Sequence, residues 1–208
     1  MNFTLLKSGI STKHSLPKHW DDLPLKKYVQ IMKILEDKEN MKELNKIVKI
    51  VRVLSDIPEA DILRLPIKNI NQMGAHLTKF LKTLPNDELN HIIKIKGVEY
   101  GFHPKLTDIS FGEWVDIDTF ITEGVHDNLH KVLAVLYRPI KVKKGDKYQI
   151  EPYEPCKERE QIMLDNLKVG DFYGVSVFFS ELGNELLSHS LKYSLQAIKE
   201  AREEAETQ

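Results

Sequence analysis

The hydrophobic pattern changes period near residue 89, and this change constrains the fold more than any other feature of the sequence. From residue 24 to residue 84, apolar side chains recur every three or four positions, as on the buried side of amphipathic helices. After residue 89, short segments alternate apolar and polar side chains around glycine-containing turns, which is typical of β-hairpins. We therefore expect a mainly α-helical α+β fold with a helical layer, two short β-hairpins and a long C-terminal helix.

The first 88 residues predict one short strand followed by three or four helices. The strand is expected over residues 3–6. Asp21 and Asp22 precede Pro24, which favours a helix start where carboxylates cap free N–H groups and proline occupies the first turn. Further helices are predicted over residues 41–54, 58–63 and 66–84.

Two hairpins are predicted in the second part of the chain, around Lys96-Gly97 and around the turn 144–147. Between them, apolar periodicity predicts helices over 111–122 and 127–137. The second of these helices should end at Tyr137, because Arg138 precedes a proline and such a residue disfavours the helical conformation. A short helix to residue 167 and a long helical tract from about residue 171 are expected to follow.

We divide the chain into an N-terminal helical region (1–88), a mixed hairpin–helix region (89–182) and a C-terminal helical extension (183–208), with one compact domain over 1–182. The extension repeats apolar or small residues at alternating spacings of three and four, the pattern of a coiled-coil seam. The alternative is a helix packed on its own domain with a frayed, charged end. The residues expected to bind a partner are Leu187, Leu191, Ile198 and Ala201.

The segment 111–122 combines aromatic and acidic residues. Its apolar members predict one buried helix side, and we expect Trp114→Ala to cost about 3–5 kcal/mol, as aromatic core deletions do. Glu113, Asp116 and Asp118 should then lie at the helix start and on its solvent side, with Arg138 as a candidate ion-pair partner. The alternative, an acid/base pair of a glycosidase beside an aromatic platform, is not favoured. The apolar members are Phe111, Trp114, Val115, Ile117, Phe120 and Ile121.

The two halves of the chain carry opposite charge although the net charge is only −1. Residues 1–104 sum to +5 and residues 105–208 to −6, a polarity that could orient self-association or docking. The single cysteine, Cys156, excludes an intramolecular disulfide and a four-thiolate zinc site. No signal-peptide pattern and no stretch of eighteen apolar residues occurs, so we expect neither secretion nor membrane spanning.

No reactive constellation is predicted. Phosphate-binding glycine motifs and nucleophile motifs are absent from the sequence. His126 and His130 share a helical spacing near Glu123 and Asp127, but such a pair near a helix start is more typical of a solvated surface than of a metal site. We expect no metal, no other cofactor and no enzymatic activity.

Nucleic-acid binding is the alternative function, because basic and aromatic residues cluster around the second hairpin. Tyr137 and Tyr148 interleave with the basic residues, and an acidic stretch follows directly. Lysines also protect edge strands from pairing with other chains, so the cluster has a structural explanation as well. The candidate nucleic-acid-binding residues are Arg138, Lys141, Lys143, Lys144 and Lys147.

Several segments of the chain, within residues 20–182, resemble a group of small tailed-bacteriophage virion-assembly proteins, which includes tail assembly chaperone-like and baseplate-hub-like proteins. These are packing and turn patterns without a catalytic signature. The segments are YVQIM (28–32), LSDIP (54–58), Leu65-Pro66, VEYGF (98–102), ISFGEWVD (109–116), LHKVLAVLYRPI (129–140), YQIEPY (148–153) and GVSVFF (174–179).

The resemblance implies a non-enzymatic protein that acts through other phage structural proteins of the tail, portal or tape-measure type. A homo-oligomer is the alternative partner state, which the charge polarity of the chain suggests. It implies a location in the host cytoplasm during assembly or in the virion. The two hairpins and the long C-terminal helix depart from the simplest helical chaperones. A permanent virion component, or a protein packaged inside the capsid, is therefore the rival interpretation.

Overall fold

The computed structural model describes residues 1–7, 10–37 and 42–177 of the 208-residue chain. An N-terminal hairpin precedes a layer of helices, and a four-stranded antiparallel sheet follows, so the fold is α+β. The strands are β1 (Asn2–Lys7), β2 (Ile10–Ser15), β3 (Ile92–Ile95), β4 (Val98–Phe102), β5 (Tyr137–Lys144) and β6 (Lys147–Ile150). The helices are α1 (Leu25–Glu36), α2 (Glu43–Ser55), α3 (Glu59–Ile62), α4 (Ile67–Lys82), α5 (Phe111–Thr122), α6 (Val125–Leu136) and α7 (Lys157–Asn166).

The start of α1 lies close to the predicted position, but the predicted capping is wrong. Pro24 occupies the N-cap position and no side chain caps the helix. Instead, the first backbone N–H, that of Leu25, donates to the carbonyl of Leu167 at 2.8 Å. Asp21 accepts a hydrogen bond from a backbone N–H in the loop after α4. The Leu167 carbonyl, from a distant segment, therefore accepts the N–H group that Asp21 and Asp22 were expected to cap.

Both predicted hairpins form, and they join into one sheet with the strand order β3-β4-β5-β6. The junction is the antiparallel pairing of β4 with β5, where Phe102 lies opposite Tyr137. In the β3–β4 turn, Lys96 and Gly97 have φ angles of 50° and 87°, as a two-residue type I′ loop requires. The strand expected over 3–6 is confirmed as part of β1, whereas its partner β2 was not predicted.

Helix α6 lies at the centre of the core. Its last turn, including Leu133 and Leu136, is fully buried and leads directly into the buried Tyr137 of β5. Helices α1, α5 and α7 all pack against α6. The core is continuous from Leu16 to Val175, so the helical layer and the sheet share one hydrophobic interior.

The beginning of the predicted C-terminal helix is present, since residues 169–177 are helical. At its start, the Asp171 carboxylate accepts the backbone N–H of Lys168 at 2.8 Å. The remainder of the predicted long helix, with its seam of Leu187, Leu191, Ile198 and Ala201, lies outside the described residues.

The prediction that the apolar side of α5 is buried is wrong for most of its members. Ile117 is buried and Phe120 is partly buried, but Trp114 is 52% exposed and Phe111 is 83% exposed. The reason is that α5 is apolar on nearly every side and packs mainly against α6, which can cover only one of those sides. The other exposed members are Val115 and Ile121.

The two tryptophans should therefore respond differently to truncation. Trp20 is 7% exposed, stacks on Phe80 at 4.5 Å and donates its indole N–H to the Phe80 carbonyl at 3.1 Å. We expect Trp20→Ala to lower the free energy of unfolding by about 3–5 kcal/mol, and Trp114→Ala by less than about 2 kcal/mol. Urea denaturation of both variants checks this, and equal losses would contradict the assignment of Trp114 to the surface.

Candidate functional site

The start of α5 is fixed by a capping box. The Ser110 hydroxyl accepts the backbone N–H of Glu113 at 3.3 Å, and the Glu113 carboxylate accepts the backbone N–H of Ser110 at 2.7 Å. Two otherwise unpaired N–H groups at the helix start are satisfied in this way. The box sets the rotation of α5 about its axis, because it directs Glu113 toward the protein interior.

Inside the protein, Glu113 forms an ion pair with Arg138 at the start of β5. Glu113 Oε1 lies 2.5 Å from Arg138 Nη2, and each side chain is only 4% exposed. Neither Oε1 nor Arg138 Nε has a well-aligned hydrogen bond within the described residues, so the attraction is mainly between charges. The expected pairing of Arg138 with one of the α5 carboxylates is thus confirmed. The expectation that these carboxylates face solvent is wrong for Glu113.

The third member of this cluster is His103, whose Nε2 lies 3.6 Å from Glu113 Oε1. Burial lowers the pKa of His103, and this effect outweighs the opposing influence of the Glu113 carboxylate. Burial alone would raise the pKa of Glu113, but the Ser110 hydrogen bonds and the Arg138 charge lower it overall. At neutral pH the cluster therefore contains one carboxylate, one guanidinium and a neutral imidazole.

The segment after β6 closes the cluster. The hydroxyl of Tyr153 donates to the carboxylate of Asp116, and the Arg138 guanidinium lies over the Tyr153 ring at 5.7 Å. Buried Arg159 donates to the carbonyls of Ala134 and Glu154, both at 2.7 Å. Two of the three α5 carboxylates are therefore committed to contacts that hold α5 against the body of the protein.

The opposite side of α5 is an exposed apolar surface. The residues follow helical spacing along one side of the helix, so they form a continuous strip. Asp118 lies within this strip and has no ion-pair partner within the described part of the chain. The strip, which we call the α5 face, consists of Phe111, Trp114, Val115, Asp118 and Ile121.

The basic residues of the second hairpin are not equivalent. Arg138 is 3% exposed and paired with Glu113, so the prediction that it contacts nucleic acid is wrong. Lys141 pairs with Glu151 at 2.5 Å, and Lys143 pairs with Glu99 at 3.1 Å. The two candidates that remain exposed and lack an ion pair among the described residues are Lys144 and Lys147.

An open groove lies beside this hairpin, with a volume of about 1110 Å³. The hairpin forms one wall, and the segment after β4 contributes Lys105. Tyr148 lines the groove, and its hydroxyl lies within hydrogen-bonding distance of the carbonyls of His91 and Phe102, at 3.0 and 2.8 Å. Lys105 was not predicted, because its proximity to the hairpin depends on the β4–β5 pairing rather than on sequence spacing.

His126 and His130, the pair considered as a metal site, contact different parts of the protein. His126 Nε2 lies 2.8 Å from the Glu36 carboxylate of α1, whereas burial lowers the pKa of His130 in the α6–α7 contact region. Residues 1–7, 10–37 and 42–177 hold no cluster of three side chains suited to bind a metal ion. In the same ranges, no helix has the length and apolar character needed to cross a membrane.

Comparison with known proteins identifies no relative: no family model, no curated protein and no solved structure matches the chain.

The Glu113–Arg138 pair can be tested by neutralising one charge without removing the cap. Glu113→Gln keeps an acceptor for the Ser110 N–H but leaves Arg138 buried without a counter-charge. We expect the free energy of unfolding to fall by about 3–5 kcal/mol in chemical denaturation. The matched control, Glu99→Gln, breaks the more exposed pair with Lys143 and should cost about 0–1 kcal/mol. Similar losses in both variants would show that burial of the pair has no special role.

Proposed function

We propose that the chain is a non-enzymatic bacteriophage structural or assembly protein that acts through protein–protein contacts in tail or neck assembly or as a virion component. The observation that carries the proposal is the α5 face, a strip of exposed aromatic and aliphatic side chains on a helix whose polar contacts point inward. The segment ISFGEWVD, which resembles the phage assembly proteins, contributes the first half of this face.

Two physical arguments support protein binding at the α5 face. Exposed aromatic side chains in a continuous strip are typical of interfaces, where tryptophan and other aromatic residues contribute most of the binding energy. The capping box and the Glu113–Arg138 pair hold the helix in place before any partner arrives, so binding has little ordering entropy to overcome.

The polar groups that would be candidates for chemistry serve the fold instead. Glu113, Arg138 and Asp116 are engaged with one another or with Tyr153, which supports a non-enzymatic role. The proposal includes the long C-terminal helix, with its partner-binding seam, as a second docking element. We also propose that the chain is located in the host cytoplasm during assembly. If it is a permanent virion component, it then stays in the virion.

Co-expression with tail, portal and tape-measure proteins of tailed phages tests this function. We expect one of them to co-elute with the chain through affinity and size-exclusion steps. Trp114→Ser should weaken that complex at least tenfold, because it removes the largest apolar side chain of the α5 face.

The matched control is Val142→Ser, which changes an equally exposed apolar residue on β5, far along the chain from α5. It should leave the affinity unchanged. Failure of every tail, portal and tape-measure protein to bind, or equal weakening by both variants, would contradict the proposal.

Nucleic-acid binding at the groove beside the second hairpin is the second candidate function. The observation that favours it is the convergence of Lys105, Lys143, Lys144 and Lys147 on one open groove beside Tyr148. Lysines can neutralise successive phosphates, and the tyrosine offers an aromatic surface to a base.

Filter binding of single-stranded DNA at several salt concentrations tests the second candidate. Combining Lys144→Glu with Lys147→Glu should abolish retention, because neither lysine has an ion-pair partner among the described residues. Combining Lys13→Glu with Lys18→Glu makes the same change in net charge near the N-terminal hairpin and should have little effect. Equal losses in the two double variants would indicate non-specific attraction rather than a site.

A further inference from the structure

Charges are segregated between two helical stretches of equal length. Residues 62–86, which contain α4, hold four lysine or arginine residues and no aspartate or glutamate. Residues 106–130, which contain α5, hold six aspartate or glutamate residues and no lysine or arginine. Three of the four basic residues lie on α4, and three of the six acidic residues lie on α5.

The outer side of α4 is basic, and two exposed apolar residues lie at and before its start: Ile67 is its first residue and Leu63 is the C-cap residue of α3. Leu63 and Ile67 are 65% and 63% exposed. The lysines that follow are exposed, and none of them has an ion-pair partner within the described residues. We call this strip the α4 face; it consists of Leu63, Ile67, Lys68, Lys79 and Lys82.

The α5 face has the complementary character. Its aromatic and aliphatic residues flank Asp118, and Glu123 follows at the end of the helix; both carboxylates are exposed and lack an ion pair among the described residues. The lengths also correspond, because the 12 residues of α5 span about 18 Å and the 16 residues of α4 about 24 Å.

We propose that the α5 face of one copy of the chain docks on the α4 face of a second copy. Lysines of α4 then meet Asp118, and the apolar residues of both strips are removed from water. Complementary charges would steer the encounter and fix its register, while the aromatic side chains supply most of the affinity. The inference rests on the proposed function, since it names a second copy as one partner of the same α5 face.

The contact joins two different surfaces, so it is heterologous. Each copy retains an unused α5 face or α4 face after pairing, unless both contacts form between the same two molecules. Repetition of a heterologous contact produces a ring or an open filament. Such growth suits a component that is built into a larger assembly.

The C-terminal segment 178–208 is the competing occupant of the α5 face. Its sequence contains six acidic and three basic residues, so it has the same sign of charge as α5. Charge complementarity therefore favours the α4 face of another copy over this segment.

Sedimentation velocity of the full chain over a range of protein concentrations tests the inference. We expect concentration-dependent association that weakens at high ionic strength. Asp118→Lys and Lys68→Glu should each raise the dissociation constant at least tenfold, because each places like charges opposite one another. Lys94→Glu, an exposed lysine of β3, is the control and should associate like the wild type.

Mixing the Asp118→Lys variant with the Lys68→Glu variant gives the sharpest test. The Asp118→Lys chain keeps an intact α4 face, and the Lys68→Glu chain keeps an intact α5 face. Their equimolar mixture should therefore associate again, because the intact faces pair with each other and the two reversed charges are complementary. Circular dichroism of each variant establishes that the charge changes leave the fold intact.

The outcomes separate this inference from the proposed function. A wild-type chain that stays monomeric at all concentrations, or variants that associate normally, would overturn self-association. If Trp114→Ser still weakens the complex with a phage structural protein, the proposed function stands without self-association. If removal of 178–208 abolishes association while Asp118→Lys and Lys68→Glu leave it unchanged, the C-terminal seam carries it and the inference is wrong.

Discussion

The buried ion pair between Glu113 and Arg138 determines how α5 sits on the rest of the protein. Burying two charges is costly unless they remain paired, so the helix can dock only with Glu113 directed inward. Because α5 is apolar on most of its sides, directing Glu113 inward directs Phe111 and Trp114 outward. The usual arrangement of an amphipathic helix, with carboxylates in solvent and aromatic residues inside, is thereby reversed at its first turn.

This reversal links the fold to the proposed function. If α5 were free to rotate about its axis, its exposed aromatic strip would turn into the core, because burial of apolar side chains is favourable. The capping box and the ion pair together prevent that rotation. The surface is therefore maintained in the unbound protein, where a partner can reach it. The basic α4 face offers a matching surface, and the segregation of charge between the two helices gives each a defined electrostatic sign.

Much of the fold follows from local patterns in the sequence. Helices α2, α4 and α6 and the two later hairpins were predicted because apolar periodicity and turn residues act over a few positions. The rotation of α5 could not be predicted in this way, because it depends on Arg138, 25 positions from Glu113. The N-terminal cap of α1, supplied by Leu167, and the joining of the hairpins through β4 and β5 are likewise non-local. The absence of basic residues from 106–130 was the one sequence signal that could have marked α5 as a surface rather than core.

Acrylamide quenching of tryptophan fluorescence tests the central claim most directly, because the chain has two tryptophans in opposite environments: Trp20 is buried and Trp114 is half exposed. At low protein concentration we expect one readily quenched and one protected component, and Trp114→Phe should remove the readily quenched one. If Trp114→Phe instead leaves the quenchable component in place, Trp114 is buried, and the outward orientation of α5 is wrong.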